Sequence, residues 1–152
     1  MDESDTGIYA REINEFEWIV QIGIASGRVI SLSVPETIPE GPTGSHDLLD
    51  RIERYVAGEP DEFEDVPIAL TVPTDQRAVL EEVREIPYGE TSDTATLTRR
   101  TPGLAEEDED AVRTALESNP VPILIPDHRI VDGPSALPAA LARRLRSIES
   151  AE

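Results

Sequence analysis

The chain has 152 residues, 38% of them apolar, which is enough for one compact domain or two small ones with a real core. It carries 32 acids against 13 bases and no Cys, which excludes disulfides, thiolate metal sites and cysteine nucleophiles. No stretch approaches the apolar length of a membrane-spanning helix and the N-terminus is acidic, so a soluble, cytoplasmic protein with no membrane partner is expected.

All 13 bases are Arg, and the formal charge is −19. Regular apolar patterns over most of the chain argue against a disordered acidic polymer. Adaptation to a salt-filled cytoplasm fits better. The Debye length falls to ~3 Å at 1 M salt, so self-repulsion on this scale is tolerated there. On that reading the acidity says little about partners.

Residues 1–11 read as polar and frayed. Phe16, Trp18, Val20, Ile22 and Ile24 alternate with polar or small residues, which predicts a half-buried strand over 16–24. A Ser26-Gly27 turn leads to a second strand over 28–34. Residues 35–44 are rich in Pro and Gly and read as a loop. Ser45 is the expected cap of a helix over 45–57, with Leu48, Leu49, Ile52, Tyr55 and Val56 on one face. Residues 59–65 read as an acidic surface loop.

The composition shifts near 66–73, which suggests domains over 1–72 and 73–152. Thr74 is the expected cap of a helix over 75–85 with Ala78, Val79, Leu80 and Val83 inward. Thr91 follows the turn Ile86–Glu90 and is expected to cap a short helix to about Arg99. Thr101-Pro102-Gly103 turns the chain into a longer helix, about 104–118, burying Leu104, Ala111, Val112, Ala115 and Leu116. Two helices joined by a Gly-containing turn make a helix-turn-helix candidate, although any two packed helices share that pattern. A last helix enters through Pro138 with Leu141, Leu145 and Ile148 inward. No internal repeat is visible.

The stretch N-P-V-P-I-L-I-P-D-H-R-I-V over 119–131 is an apolar run that ends on an acid, Asp127. Burying an ionised carboxylate without partners is costly. Asp127 therefore reads as a cap, as an ion-pair partner of Arg129, or as a polar contact to a bound group. His128 reads as a core histidine or as an active-site group. Arg129 is expected to tie down loop carbonyls or to meet an acid. Asn119-Pro120 ends a helix and starts a turn.

The stretch D-A-V-R-T-A-L-E-S-N-P-V-P-I-L-I-P-D-H-R-I-V over 110–131 resembles the active-site region of the O6-alkylguanine-DNA alkyltransferases. That family carries R-A-V-G-x-A-x-x-x-N-P, an apolar run, and P-C-H-R-V-V, and the spacing matches without a gap. Ile86-Pro87-Tyr88-Gly89-Glu90-Thr91 is similar to the family's I-P-x-G-x-T. Asp75-Gln76-Arg77-Ala78-Val79-Leu80 is similar to its F-Q-x-x-V-W, and Tyr55-Val56-Ala57-Gly58 to its Y-F-x-G. The resemblance implies an α/β fold. A small N-terminal α/β domain like ribonuclease H would be followed by a helical domain with a helix-turn-helix. It implies minor-groove binding to duplex DNA, flipping of an alkylated guanine, and alkyl transfer to a cysteine, with no cofactor and no metal. Flipping is required because an O6 substituent is out of reach inside the base stack.

The same resemblance puts Asp127 at the acceptor cysteine, Asp110 at an arginine that enters the vacated stack, and Thr94 at a tyrosine that helps rotate the nucleotide. Arg113 replaces a glycine, and 132–138 is shorter than the loop that closes over the base. Asn119, Pro120, Pro126, His128 and Arg129 match, and Glu149 stands near a glutamate that orients the histidine. Thr91, Arg99, Arg100 and Arg113 are the remaining candidates for DNA contact. Glu106, Glu107, Asp108, Glu109, Asp110 and Glu117 crowd the second helix, so duplex binding is expected to be weak. Three functions fit. One is a non-catalytic, lesion-sensing, repair-associated member. A second is a degenerate member whose scaffold serves a protein partner or another ligand; another repair protein is one partner considered. A third is a dealkylating enzyme that uses Asp127, with His128 activating water. A monomer is expected.

Overall fold

The computed structural model describes residues 6–13, 18–35 and 46–150. The chain divides into two compact units, Met1–Ala69 and Leu70–Glu152.

The first unit is an antiparallel sheet in the order β1 (Gly7–Ile13), β2 (Trp18–Ala25), β3 (Arg28–Ser33), with helix α1 (Asp47–Val56). Over 7–11, β1 corrects the expectation of a frayed 1–11 segment, whose residues 1–5 lie outside the described residues. Its inward positions are Tyr9, Arg11 and Ile13, and a charge at the middle one hides the apolar alternation. Arg11 is accommodated because its guanidinium donates to Asp50 at 2.6 Å and to Glu53 at 3.1 Å, which fastens β1 to α1. Between β2 and β3 the register slips at Gly23/Ile24, so Ile30 has no opposite number and stands exposed. Ile22, Ile24, Val29 and Leu32 pack with Leu49, Ile52, Tyr55 and Val56 in the core.

The expected strand start at Phe16, the 36–44 loop and the Ser45 cap lie outside the described residues. His46 is the N-cap of α1, with Nδ1 accepting from the Leu48 amide at 3.0 Å. The 59–65 segment is less superficial than its acids suggest. Phe63 is buried edge-on to Tyr55, and Arg51 spans Asp61 and Asp65.

The second unit contains α2 (Thr74–Arg84), α3 (Thr94–Arg100), α4 (Glu109–Glu117) and α5 (Ala139–Ser150). Three boundaries differ from expectation. Thr74 is the first residue of α2 rather than its cap. Asp93, not Thr91, caps α3, and its carboxylate accepts from the Thr96 amide at 2.7 Å. The predicted 104–118 helix is broken. Asp108 turns back to the Ala105 amide at 2.8 Å, which holds Glu106–Asp108 as a 3-10 turn before α4 begins. Leu104 and Ala111 are consequently half-buried, while Val112, Ala115 and Leu116 are fully inside. α2 packs on α3 and α4. On α5, Leu141 and Leu145 face inward as expected, but Ala142 and Glu149 are buried and Ile148 only half so.

Candidate functional site

The apolar run from Val121 to Ile125 is a tight buried turn. The Ile125 amide donates to Val121 O at 3.0 Å, and Ile123 sits at φ 78°, a left-handed conformation that a β-branched residue rarely adopts. The turn is set by Asn119. Its Oδ1 accepts from the Val121 amide, and its Nδ2 donates to Ile125 O at 3.0 Å and to Asp127 Oδ2 at 3.1 Å. Asn119 thus does more than end α4. It delivers Asp127, His128 and Arg129 as a single buried 3-10 turn.

Asp127 is fully buried and accepts three hydrogen bonds. Ser135 Oγ donates to Oδ1 at 2.5 Å; the Ala136 amide at 2.9 Å and Asn119 Nδ2 donate to Oδ2. Burial pushes its carboxyl above the ordinary aspartate range, and the three donors oppose that rise. The expected pairing of Asp127 with Arg129 does not form. Arg129 turns instead to Glu149, because α5 places that carboxylate where two parallel bonds are possible. Nε meets Oε1 at 2.8 Å and Nη2 meets Oε2 at 2.9 Å. Nη1 donates to Ile86 O at 2.5 Å, and the guanidinium lies 5.7 Å from the Tyr88 ring centre.

His128 Nε2 lies 2.8 Å from Glu149 Oε2, which also takes Arg129. Opposite such an acceptor, Nε2 is the protonated ring nitrogen. Glu149 therefore orients both the histidine and the arginine from one buried carboxylate. A short parallel bridge, Ser92 amide to Arg129 O and Val131 amide to Ser92 O, brings the 86–92 turn alongside. The three motif regions, 86–92, 119–131 and the end of α5, converge here.

The segment after Val131 is pinned at both ends. Asp132 accepts from the Thr94 amide at 2.8 Å and from its hydroxyl at 3.0 Å, and Thr94 Oγ1 also lies 2.5 Å from Glu109 Oε1. Gly133 then passes so close to α3 and α4 that a Cβ there would meet Leu116 at 2.8 Å and Thr94 at 3.1 Å. Ser135 and Ala136 close the other end onto Asp127. This segment and α5 line a cleft of about 410 Å³ whose apolar wall includes Ile130, Leu137 and Ala142.

Of the candidates for DNA contact, Thr94, Asn119 and Arg129 form one group. All three are buried and engaged inside the unit. Thr91, Arg99, Arg100, Asp110 and Arg113 are exposed, Arg113 with one bond to Asp132 O at 3.3 Å. Sequence reasoning missed Ser135, Ala136, Asp132 and Arg146. Arg146 donates to His128 O at 3.1 Å. Only the Ser135 hydroxyl offered a signal, as a polar residue close behind a buried acid. Among the described residues no group of three or more His, Asp or Glu is placed to hold a metal ion.

Residues 74–147 match the model of the DNA binding domain of 6-O-methylguanine DNA methyltransferase. The methylated-DNA–protein-cysteine methyltransferase of Methanopyrus kandleri is 37% identical over 116 residues, which cover 74% of this chain and 86% of that protein. The O6-methylguanine methyltransferase of Mycobacterium tuberculosis has the same fold, with a TM-score of 0.77 at 23% identity over 95% of this chain and 94% of that one. A structure of the M. tuberculosis protein in complex with DNA aligns similarly, with a TM-score of 0.76 at 22% identity over 95% of this chain and 92% of that one. With the relationship carried across most of both chains, this protein belongs to the methylated-DNA–protein-cysteine methyltransferase family.

Proposed function

We propose that this protein is a non-catalytic, lesion-sensing member of its family, which binds duplex DNA through the second unit and holds an O6-alkylguanine without accepting its alkyl group. The observation that carries this reading is the state of Asp127. It stands at the position where P-C-H-R has its cysteine, in a chain with no Cys. Both of its oxygens are occupied by donors, and the group is buried. An alkyl-transfer acceptor needs a soft, exposed lone pair on a reactive anion, which a thiolate provides. A hard carboxylate held by three hydrogen bonds does not. The buried cradle of Asn119, His128, Arg129 and Glu149 is nonetheless intact, and the cleft beside Asp127 remains open to a small planar group.

Binding rests on exposed Arg99, Arg100 and Arg113 and is weakened by the acids at the start of α4. Titration of duplexes with and without O6-methylguanine over a KCl series tests the proposal. Weak binding that favours the lesion duplex supports it. Absence of binding to either duplex favours a second reading, a scaffold that serves a protein partner. The exposed Asp110 and its acidic neighbours, which repel phosphate, are the specific feature in favour of that alternative.

A further inference from the structure

The chain is acidic almost everywhere, but α5 is not. Its twelve residues include Arg143, Arg144 and Arg146 and a single acid, Glu149, which is buried on Arg129 and His128. The outer face of α5 is therefore locally cationic in a protein of net charge −19. Arg143 and Arg146 stand one turn apart and both line the cleft beside Asp127. Among the described residues neither is paired with a carboxylate, although acids outnumber arginines more than two to one. Arg146 is anchored by one bond to His128 O, which leaves its other donors directed elsewhere.

Two guanidiniums without acid partners at the mouth of a cleft call for an anion. The cleft volume, about 410 Å³, falls in the range of small-molecule sites, roughly 300–1,000 Å³. Its apolar lining comes from Ile130, Leu137 and Ala142. An apolar lining beside two forked guanidiniums suits a nucleotide, with the base against the apolar side chains and the phosphate on the arginines.

We infer that Arg143 and Arg146 form a phosphate-binding rim for a nucleotide seated in the cleft, a contact separate from those of α3 and α4. This rests on the proposed lesion-holding role of the cleft for its occupant, but the phosphate contact is testable on its own. The phosphate belongs either to the strand that carries an extruded nucleotide or to a free nucleotide.

The test compares the intact protein, Arg143→Gln, and Arg143→Gln/Arg146→Gln, with Arg28→Gln on β3 as a charge control. Arg143→Gln breaks no hydrogen bond or ion pair among the described residues, so it keeps the test valid if the double variant folds poorly. The probes are an O6-methylguanine duplex and its unmodified counterpart, deoxyguanosine monophosphate, deoxyguanosine and inorganic phosphate. Loss of the two contacts is expected to weaken duplex binding about tenfold and to lower the salt slope by about two, with Arg28→Gln unchanged. If only the monophosphate responds, the rim stands and its source is a free nucleotide. If the intact protein ignores the duplex but binds the monophosphate through the two arginines, the rim survives and the duplex reading falls. If the intact protein distinguishes the lesion duplex and neither variant changes any affinity, the rim is refuted and the lesion reading stands. If the intact protein binds none of the probes, both fall.

Discussion

Ser135 donates to Asp127 at 2.5 Å across eight residues, and this bond couples the buried acid to the segment that follows Val131. The Ala136 amide adds a second tie, and the Leu137 amide in turn donates to Ser135 Oγ at 3.0 Å. Asp127 is therefore a structural hub before it is anything else. Removing its carboxylate orphans three donors at once.

Asp127→Ala is expected to destabilise the fold by about 2–4 kcal/mol, because Asn119, Ser135 and Ala136 lose a buried acceptor. Asp127→Asn keeps one acceptor and should cost much less. Chemical denaturation of both variants checks the order. Equal losses would contradict the hub role.

The pH dependence separates Asp127 from its amide. Burial raises its carboxyl above the unfolded value, near 3.9 for aspartate. The stabilisation this confers is complete below the unfolded value and is lost as pH rises through the folded value. Asp127→Asn has no such loss. The stability difference between the two proteins should therefore shift toward the variant as pH rises above about 4. A difference that stays constant with pH would contradict the buried titration.

Glu149 is the second hub. Glu149→Ala would leave the Arg129 guanidinium buried without its carboxylate and His128 without its acceptor. A loss of about 3–5 kcal/mol is expected from stranding one partner of a buried pair. Glu149→Gln retains an acceptor for one of them and should fall between. Thermal melting at fixed salt measures both, and a loss under about 1 kcal/mol for Glu149→Ala would show that the triad is not stabilising.

Much of this site is legible in the amino-acid order. The C-terminal motifs place Asp127, His128 and Arg129 together, and the family resemblance sets Glu149 near the histidine. The pairing of Arg129 is ambiguous there because both acids are plausible partners, and only the pose of α5 decides it. The segment after Val131 is opaque for a similar reason. Its ties, Thr94 to Asp132 and Gly133 against Leu116, join residues far apart in the chain and leave no periodic trace. Ile123 in the left-handed region is unreadable, since nothing in a β-branched residue advertises positive φ. β1 is hidden by Arg11, whose inward charge is tolerated only because α1 presents Asp50 and Glu53.

The acid excess gives a salt prediction. Stability should rise from low salt to molar KCl as repulsion among the 32 acids is screened. Melting curves over a KCl series check it. A melting temperature that is flat or falls with salt would remove the case for a high-salt cytoplasm.

Asp110 is exposed on α4 at the position where the family motif carries an arginine. Asp110→Arg should tighten duplex binding by removing an anionic repulsion and adding a phosphate contact, by about one unit of salt slope. Anisotropy titrations at several KCl concentrations read both quantities. An unchanged slope would place α4 away from the DNA.

The central claim is that Asp127 holds this site together and does not accept an alkyl group. The direct measurement is the intact mass of the protein after incubation with an excess of O6-methylguanine duplex, with the lesion content of the DNA followed in parallel. Unchanged mass and undiminished lesion are expected, in both low salt and molar KCl. A stable gain of one methyl group on Asp127, or steady loss of the lesion without a second enzyme, would contradict the account and make the aspartate a working nucleophile.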